Sequence, residues 1–427
     1  MNWSHALDAF SLLFENDRQF RDEFVRSLYG QCRFIAANLE TDVRGNHLLK
    51  NLRALIWGGV VFEGDAAHRW LEAGLRLLRI EIEEQVLPDG GHFERAPGYH
   101  MIVLRDVLET AEFLRRNREV PLWLLNAQAR MLDFLDAILP ENGRLPLFKD
   151  TALTDDPPPL AFFDPESAYA RLIFGGPHRI GERKTRPSTE FLEASGYAIT
   201  RSPRHYFMID VGKPCPDYLP AHTHADMFSY ELTIDGAIVV ADSGVYEYAE
   251  GEWRDWFRST RAHNTVEVAD ANQSEVWGSF RVGRRATPSN VKVTTDGDVT
   301  MVQGDHDGYQ RLDPPVRHRR TVASTDGLWI VIDELFGDGR TSGVSRIHIL
   351  RDVEIAVAAG LITRERGWYS PRFGEKRENV VWALSADGDL PLRIAYAISC
   401  EGLPRLTVEN DRVDVSTPRR HLSVRLD

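Results

Sequence analysis

Residues 220–244, PAHTHADMFSYELTIDGAIVVADSG, decide the fold class of the second half of the chain. Apolar and polar side chains alternate over residues 230–234, Asp235-Gly236 supplies a two-residue turn, and residues 237–241 return as an apolar partner strand. Alternation with a period of two around an Asp-Gly pair is a strong short-range signal for an antiparallel hairpin. The stretch therefore predicts a β-sheet, with Asp242 at the end of the second strand.

Side chains of the metal-binding type flank this hairpin. His222 and His224 are two residues apart, so both imidazoles leave the same face if the segment is extended. A third predicted strand, residues 264–268, starts directly after His263. His224, Asp242 and His263 would then converge on one divalent ion, and mixed nitrogen and oxygen ligands favour zinc. His222 would be left free beside the metal.

Two simpler interpretations compete with a zinc site. A histidine in a strand is usually a satisfied core or surface residue, and Asp-Ser-Gly is usually a turn. A cupin barrel also carries His-x-His on a strand, but it needs a carboxylate three or four residues after the second histidine. Phe228 and Ser229 stand in or beside that window. A cupin-like metal oxidoreductase is therefore only the second interpretation of this stretch, after a metal or catalytic site in another kind of β-sheet.

The first part of the chain has the hydrophobic period of helices. Apolar residues recur at three and four up to about residue 174, for example at Leu71, Leu75, Leu78 and Ile82. Glycine and proline breakers divide this part into roughly six or seven runs joined by short connections. Short connections favour antiparallel neighbours, so residues 1–175 are predicted to be a helical domain.

The period changes to that of strands in the second part of the chain. Residues 176–190 are rich in glycine, proline and basic side chains, which indicates a linker. Short alternating runs then follow one another to the C-terminus, separated by turn signals such as Asp326-Gly327 and Asp387-Gly388. We therefore expect a large antiparallel β-sandwich over residues 191–427.

Charge and composition exclude several classes of protein. The formal net charge of −13 over 427 residues argues against a general nucleic-acid binder, so a chain with a polyanionic ligand must gather its arginines locally. Cys32, Cys215 and Cys400 have no Cys-x-x-Cys spacing and predict neither a disulfide framework nor a thiolate zinc site. No apolar run is long enough to span a bilayer, and the first residues lack the pattern of a signal peptide. We expect a soluble protein without a visible export signal.

Residues 44–59, RGNHLLKNLRALIWGG, form the first of two stretches in the helical half that carry reactive side chains. Asn46 and His47 stand at the N-terminal edge of a predicted helix whose body is apolar. An asparagine at this position can serve simply as the helix N-cap. A functional role and a capping role are therefore both consistent with the spacing.

Residues 89–100, DGGHFERAPGYH, form the second stretch. Two glycines bend a loop that carries His92, Glu94 and Arg95 and leads directly into a helix. Tyr99 falls in the first turn of that helix, where the positive end of the helix dipole favours a phenolate. Loops on a rigid scaffold are frequent sites of binding and catalysis, although a surface loop can also carry such residues without a function.

Together these stretches resemble the signatures of the heparinase II/III-like polysaccharide lyases. The matching segments, in the family's order, are GNHLLKN, DGGHFERAPGYH and HTHAD…DSG…FRSTRAHNTV, with WYSPRFGEK at residues 368–376 as a weaker fourth match. The resemblance covers nearly the whole chain and implies an incomplete (α/α) toroid followed by an antiparallel β-sandwich. The helical part is shorter than a full toroid of this family, which puts part of the substrate-binding wall in doubt.

The resemblance implies β-elimination at a uronic acid of an acidic polysaccharide. Asn46 then neutralises the substrate carboxylate by hydrogen bonding. Tyr99 acts as the acid and is also a candidate base, with His222 or His47 as the histidine partner. The resemblance leaves the identity of the polymer and endolytic or exolytic action undetermined.

The resemblance also implies partners and alternatives. A structural zinc ion would be held by His224, Asp242 and His263 and would brace the sandwich side of the cleft. The candidate contacts for the acidic sugar are His92, Glu94, Arg95, Arg258 and Arg261. Members of such a family are usually periplasmic or secreted, and the sequence does not fix the oligomeric state. A non-catalytic acidic-polysaccharide-binding protein of exopolysaccharide assembly is the second hypothesis, ahead of the cupin-like oxidoreductase.

Overall fold

A computed structural model describes residues 6–7, 9–153, 159–163, 188–409 and 411–426 of the chain. From Ser11 to Ile138 the described residues form six α-helices. They are α1 (Ser11–Asn16), α2 (Arg18–Ala37), α3 (Gly45–Val61), α4 (Asp65–Gln85), α5 (Pro97–Asn117) and α6 (Leu122–Ile138). A short 3₁₀ helix follows at Pro159–Phe162. The predicted number of helices and the short connections between them agree with this arrangement.

Helix α5 illustrates why these residues become helical. It starts with Pro97, whose fixed φ suits the first helical position. Val103, Leu104, Val107 and Leu108 then repeat at helical spacing, and all four are fully or almost fully buried. The stripe packs into one apolar core shared with α3, α4 and α6.

The C-terminal part is built from antiparallel strands. The strands before residue 300 are β1 (Ser188–Leu192), β2 (Tyr197–Arg201), β3 (His205–Asp210), β4 (Tyr230–Ile234), β5 (Ala237–Val240), β6 (Val266–Val268), β7 (Val276–Trp277), β8 (Arg281–Val282), β9 (Pro288–Asp296) and β10 (Val299–His306). The later strands are β11 (Arg317–Thr325), β12 (Leu328–Phe336), β13 (Arg340–Ile349), β14 (Glu354–Ala359), β15 (Leu361–Arg372), β16 (Glu375–Asp389), β17 (Leu392–Ser399), β18 (Arg405–Val408), β19 (Arg412–Ser416) and β20 (His421–Arg425). A short helix, α7 (Glu252–Arg258), interrupts them.

Two large sheets form the sandwich. The first has the order β1-β2-β3-β4-β5-β13-β16-β15, with β6 added beside β13, and the second has the order β14-β17-β12-β11-β10-β9. Inward side chains of β3 and β4, including Phe207 and Leu232, pack against Val322, Val331 and Tyr396 of the second sheet. The predicted sandwich is therefore the observed architecture.

The helices cover the outer face of the first sheet. Tyr206 and Met208 of β3 point into the helical core, whereas the alternate residue Phe207 points into the sandwich. The Tyr206 hydroxyl donates a hydrogen bond to the carbonyl of Ile138 at the end of α6 (2.5 Å). Strand β3 is thus buried on both faces, and the two halves of the chain share one continuous interface.

Several local predictions agree with the structure and others do not. The hairpin around Asp235-Gly236 is present as β4 and β5. Asp387-Gly388 was predicted as a turn, but it continues β16 opposite β13, and the chain turns only after Asp389. His222 and His224 would share one face if their segment were extended, but residues 222–224 lie in an irregular loop before β4.

The predicted linker lies mostly outside the described residues. Of residues 176–190, only 188–190 are described, and they already belong to β1. The end of the predicted helical domain, from residue 164 to 175, also lies outside the described part. Within the described residues, no helix combines the length and the apolar character that a membrane crossing requires.

Candidate active site

The candidate site lies where the start of α5 meets loops of the sandwich. A cavity of about 250 Å³ opens there, with Tyr99, Asp150 and Tyr248 in its wall and Phe373 at its rim. Tyr99 comes from the helical half, and Tyr248 and Phe373 come from the sandwich half. The cavity is therefore built jointly by the two parts of the chain.

Tyr99 and His222 are in direct contact across this junction. Their rings stack with centroids 3.6 Å apart and an interplanar angle of 24°. The Tyr99 hydroxyl is also 3.2 Å from the hydroxyl of Tyr248, which the sequence pattern had not singled out. The predicted phenol and imidazole are thus brought together, with a second phenol beside them.

Asn46 and Glu94 complete the helical side of the site. Asn46 is the second residue of α3, as the sequence predicted, and its backbone N–H donates to the Glu94 carboxylate. Glu94 Oε2 lies 3.4 Å from Nε2 of His222. Glu94 therefore connects the N-terminus of α3 with the imidazole that stacks on Tyr99. A side chain at Gly45 would collide with Glu94, because a Cβ there would lie 2.8 Å from its Oε1.

Asp150 was not predicted, yet it connects both histidines of the 222–224 segment with an arginine. It accepts hydrogen bonds from Nδ1 of His222 (2.9 Å) and from Nε2 of His224 (2.8 Å). Arg254 of α7 donates to both of its oxygens, with Nη2 at 2.8 Å from Oδ2. We refer to Asp150, His222, His224 and Arg254 as the Asp150 cluster.

No sequence pattern distinguishes Asp150 or Arg254 from other charged residues. Asp150 stands in LFKDT, 72 residues before His222, and Arg254 lies between two tryptophans. Both side chains are fully buried, and an isolated buried charge is so unfavourable that each requires the other. Only the tertiary structure reveals that they form one unit with the two histidines.

Burial sets the protonation of the groups on the helical side. Desolvation raises the pKa of Glu94 to about 7, despite the opposing charge of His222. Desolvation and the neighbouring Tyr248 raise the pKa of Tyr99 far above its usual value. The helix dipole was expected to favour a Tyr99 phenolate, and burial outweighs that effect. Tyr99 is therefore a neutral phenol, a proton donor.

The Asp150 cluster fixes the charge and orientation of its members. Burial alone would raise the pKa of Asp150, but hydrogen bonds from His222, His224 and Arg254 hold it well below its usual range. An ionised carboxylate only accepts hydrogen bonds, so Nδ1 of His222 carries the proton that faces it. Nε2 of His222, on the other side of the ring, faces Oε2 of Glu94 at 3.4 Å.

The residues predicted to bind zinc lie together, but they do not form a three-ligand site. Asp242 accepts hydrogen bonds from Nδ1 of His263 (2.9 Å to Oδ2) and from Ser229 (2.9 Å), so its carboxylate already has partners. Among the residues that the structure describes, no three or more His, Cys, Asp or Glu side chains are arranged to hold a metal ion. Asp242 is here a hydrogen-bond partner of His263.

Two buried ring nitrogens near Asp242 nevertheless have no hydrogen-bond partner among the described residues. They are Nδ1 of His224 and Nε2 of His263, on rings whose centroids lie 5.3 Å apart. Burial lowers the pKa of His224 to about 3, so its imidazole is neutral. A neutral nitrogen suits zinc, and a carboxylate behind a histidine ligand is a usual orienting partner. The Asp242 carboxylate, however, raises the pKa of His263 against the effect of burial, which favours its protonated form. The zinc ion stays a prediction.

Of the predicted sugar contacts, Arg258 is placed where it cannot reach a substrate. It is fully buried, and its guanidinium donates to the carbonyls of Thr223, Trp277, Gly278 and Arg281. The prediction that it contacts an acidic sugar is therefore wrong, because its donors hold the β7–β8 hairpin in place.

His92, Arg95 and Arg261, which were also predicted to contact the sugar, each have a partner within the protein. His92 is buried and forms a hydrogen bond with Gln85 (3.2 Å). It therefore stabilises its own loop and does not face the cleft. Arg95 donates to the carbonyls of Phe93 (3.3 Å) and Ala194 (3.1 Å). Arg261 pairs with Glu267 (3.1 Å) and remains partly exposed.

His47 and His222 were left as alternative histidine partners by the sequence. The side chain of His47 is 57% exposed and lies 3.6 Å from Glu40 on the outer side of α3. His222 is stacked on Tyr99 inside the site. Of the two histidines, His222 is therefore the one that lies beside Tyr99.

Two family models match the chain. The model described as Heparinase II/III N-terminus matches residues 3–159, and the model described as Heparinase II/III-like, C-terminal matches residues 184–402. The chain belongs to the heparinase II/III-like family. Family membership also removes the cupin-like oxidoreductase as an interpretation, because the helical half and the sandwich each match this family.

Curated relatives of this heparinase II/III-like protein include enzymes and one protein with a different name. The chain is 27% identical over 315 residues to the heparin-sulfate lyase of Bacteroides stercoris, covering 70% of this chain and 45% of the relative. It is 27% identical over 338 residues to the heparin-sulfate lyase of Pedobacter heparinus, covering 75% and 48%. The FtsZ-localized protein C of Caulobacter vibrioides is 25% identical over 317 residues, covering 70% and 51%. The chain spans about half the length of the curated relatives it matches.

Solved structures share the fold of this heparinase II/III-like chain. A crystal structure of heparinase III superposes with a TM-score of 0.80 at 16% identity, covering 99% of this chain and 73% of that chain. The heparan sulfate lyase HepC from Pedobacter heparinus superposes with a TM-score of 0.74 at 19% identity, covering 95% and 69%. The expected combination of a helical toroid and a β-sandwich is thereby confirmed.

Proposed function

We propose that this protein is a lyase that cleaves an acidic, uronic-acid-containing polysaccharide by β-elimination. The observation that carries the proposal is the contact between Tyr99 and His222, which places a neutral phenol on an oriented imidazole at the junction of the two halves. Family membership and the heparin-sulfate lyases among the relatives support the same reaction class.

The proposed reaction begins with binding of the substrate carboxylate near the start of α3. Asn46 donates a hydrogen bond from its side-chain amide to that carboxylate, so that negative charge can accumulate there when the C5 proton leaves. A hydrogen bond to a developing charge acts mainly in the transition state, which is where it accelerates the reaction.

His222 and Tyr99 divide the proton transfers. His222 accepts the C5 proton on Nε2, since Asp150 holds the other ring nitrogen as a donor. The electron pair of the C5–H bond forms the C4–C5 double bond, and the C4–O bond breaks. Tyr99 donates its proton to the departing O4, a role for which its raised pKa keeps it in the protonated form. The products are an unsaturated uronate end and a new hydroxyl end.

A structural zinc ion remains part of the proposal. The support is the pair of unpartnered nitrogens on His224 and His263. Zinc bound there would stabilise the loop between β3 and β4. It would take no part in the proton transfers, which are assigned to side chains of the protein.

The experiment that tests the proposal compares three proteins on a panel of heparan sulfate, alginate, hyaluronan and bacterial exopolysaccharides. We expect the wild type to raise the ultraviolet absorbance of at least one polymer, because the new double bond is conjugated with the carboxylate. Tyr99→Phe should lower the rate by about 10²–10⁴-fold, the usual effect of removing a general acid. The control variant Tyr206→Phe also removes a buried tyrosine hydroxyl, but this hydroxyl donates to the carbonyl of Ile138 and lies outside the site. We expect this variant to keep the activity.

A second candidate function is binding of an acidic polysaccharide without cleavage. It is favoured by one observation, that a relative of similar identity carries the name FtsZ-localized protein C and not that of a lyase. Binding to a polymer of the panel with no absorbance change, and with equal affinity in wild type and Tyr99→Phe, would select this function over the lyase.

A further inference from the structure

A second cavity, about 490 Å³ in volume, lies at another point of the junction between the helical part and the sandwich. We call it the arginine cavity. Arg144, in the segment after α6, lines one side, and the turn between β4 and β5 lines another. Strands β15 and β16 supply the remaining charged wall, with Tyr369, Arg372 and Arg377.

The arginine cavity adjoins the active-site cavity. Ala152 and Phe373 line the active site, and their immediate chain neighbours Leu153 and Arg372 line the arginine cavity. The N–H of Leu153 donates to the carbonyl of Pro371 (2.8 Å), which ties the segment after Asp150 to strand β15. The two cavities are thus separated by one layer of chain, and the exposed ring of Phe373 stands at the boundary.

The charge of the arginine cavity is opposite to that of the whole chain. Three arginines line it and, within the described residues, no aspartate or glutamate does, although the formal net charge of the chain is −13. Arg377 pairs with Glu375 (2.8 Å from its Nε to Oε1). For Arg144, the described part of the chain supplies no salt bridge. Burial raises the pKa of Tyr369 to about 12, and the nearby charge of Arg144 opposes that shift.

Exposed arginines around a concave surface suit oxyanions. The guanidinium group donates two parallel hydrogen bonds to a carboxylate or a sulfate, and it is weakly hydrated compared with an ammonium group. All three arginines are exposed, so an anion can reach them without any rearrangement of the core. The protein has a negative net charge, but this cavity is lined by arginines and not by acidic side chains. The local positive potential can therefore attract a polyanion.

We propose that the arginine cavity is a distal subsite that binds a carboxylate or sulfate group of the same polysaccharide chain whose bond lies at Tyr99. This inference rests on the proposed function for the identity of the ligand. The polysaccharide would pass over Phe373, whose ring is 54% exposed. Sugars stack on exposed aromatic rings through their apolar faces. Long substrates would then bind more tightly than the shortest one.

The test uses Arg144→Gln/Arg377→Gln and a charge-matched control, Arg364→Gln/Arg366→Gln. The control arginines are exposed on β15 and do not line the arginine cavity. On a polymer that the wild type cleaves, we expect KM of the first variant to rise about ten- to a hundredfold, the effect of losing charge-assisted hydrogen bonds. Its kcat, and its kcat/KM on the shortest oligosaccharide cleaved by the wild type, should match those of the control. An equal rise in both double variants, or an equal loss on long and short substrates, would overturn the inference.

A binding arm separates this inference from the proposed function. Tyr99→Phe is combined with each double variant, and affinity for heparan sulfate, alginate and hyaluronan is measured by affinity electrophoresis. If the wild type cleaves nothing but binding depends on Arg144 and Arg377, the subsite stands and the lyase proposal fails. If the wild type cleaves a polymer and binding is unaffected by these arginines, the lyase stands and the subsite fails. No binding and no cleavage would refute both.

Discussion

Replacing Asp150 by asparagine tests whether the buried carboxylate positions the base. Asp150 is fully buried and receives hydrogen bonds from His222, His224 and Arg254. Removing one partner of a buried charge pair costs about 3–5 kcal/mol, and asparagine keeps the shape of the side chain, so we expect a loss near 3 kcal/mol. Urea unfolding measures this loss directly.

The same substitution should lower activity beyond its effect on stability. An amide can donate to Nδ1 of His222, which would move the ring proton to Nε2 and remove the lone pair that takes the substrate proton in the proposed reaction. We expect kcat/KM per folded molecule to fall about 10²–10⁴-fold. Initial rates of absorbance increase are measured between pH 5 and 9, because a change of tautomer alters the pH profile and a purely structural loss does not.

Asp333→Asn provides the matched control. Asp333 is also buried and also binds an arginine and a histidine, with Arg320 at 2.7 Å and His318 at 2.9 Å, but it lies between the sheets of the sandwich. It should lose similar stability and keep the activity of its folded fraction. Equal activity of the two variants per folded molecule would refute a positioning role for Asp150.

Two further predictions follow from the protonation of the site. Glu94 has a pKa of about 7 in the folded protein against 4.5 for an unperturbed glutamate, so the stability it contributes in its protonated form is present below pH 4.5 and is lost as the pH rises through 7. Relative to Glu94→Gln, the wild type should lose about 3 kcal/mol between acidic and alkaline pH, and parallel urea titrations of the two proteins would contradict this. If His224 and His263 share a zinc ion, elemental analysis of the purified protein should find about one zinc per chain, and His224→Ala should lose it. A metal-free wild type would show that the pair of Asp242 and His263 is complete without a cation.

Local patterns predicted the fold well because helices and strands carry their period in neighbouring residues. The hairpin over residues 230–240 needed only alternation and an Asp-Gly turn, and α5 needed only an apolar stripe after Pro97. The error at Asp387-Gly388 has the same origin. An Asp-Gly pair favours a turn locally, but here it remains in β16 because ten residues of β13 pair with that strand.

The site was only partly predictable because its contacts are distant in sequence. Tyr99 and His222 were found through a motif, but the carboxylate that orients His222 is contributed by Asp150, and no spacing rule connects the two. Arg258 was misassigned for a related reason. A sequence shows that an arginine is present, but whether its donors face solvent or four backbone carbonyls depends on the fold around it.

The formal net charge of −13 raises the question of how the proposed lyase would bind a polyanion, and the site suggests an answer. The two carboxylates nearest to Tyr99 carry little effective charge towards a substrate. Arg254 neutralises Asp150, which also accepts hydrogen bonds from His222 and His224. Burial raises the pKa of Glu94 enough to keep a large share of it protonated near neutral pH. The local electrostatic potential is then positive, because Arg105 lines the active-site cavity and three arginines line the adjoining arginine cavity. Because screening limits surface charges to about 8 Å at physiological ionic strength, the acidic remainder of the surface has little influence there. Under the proposed function, these few groups would determine the affinity for an acidic polysaccharide.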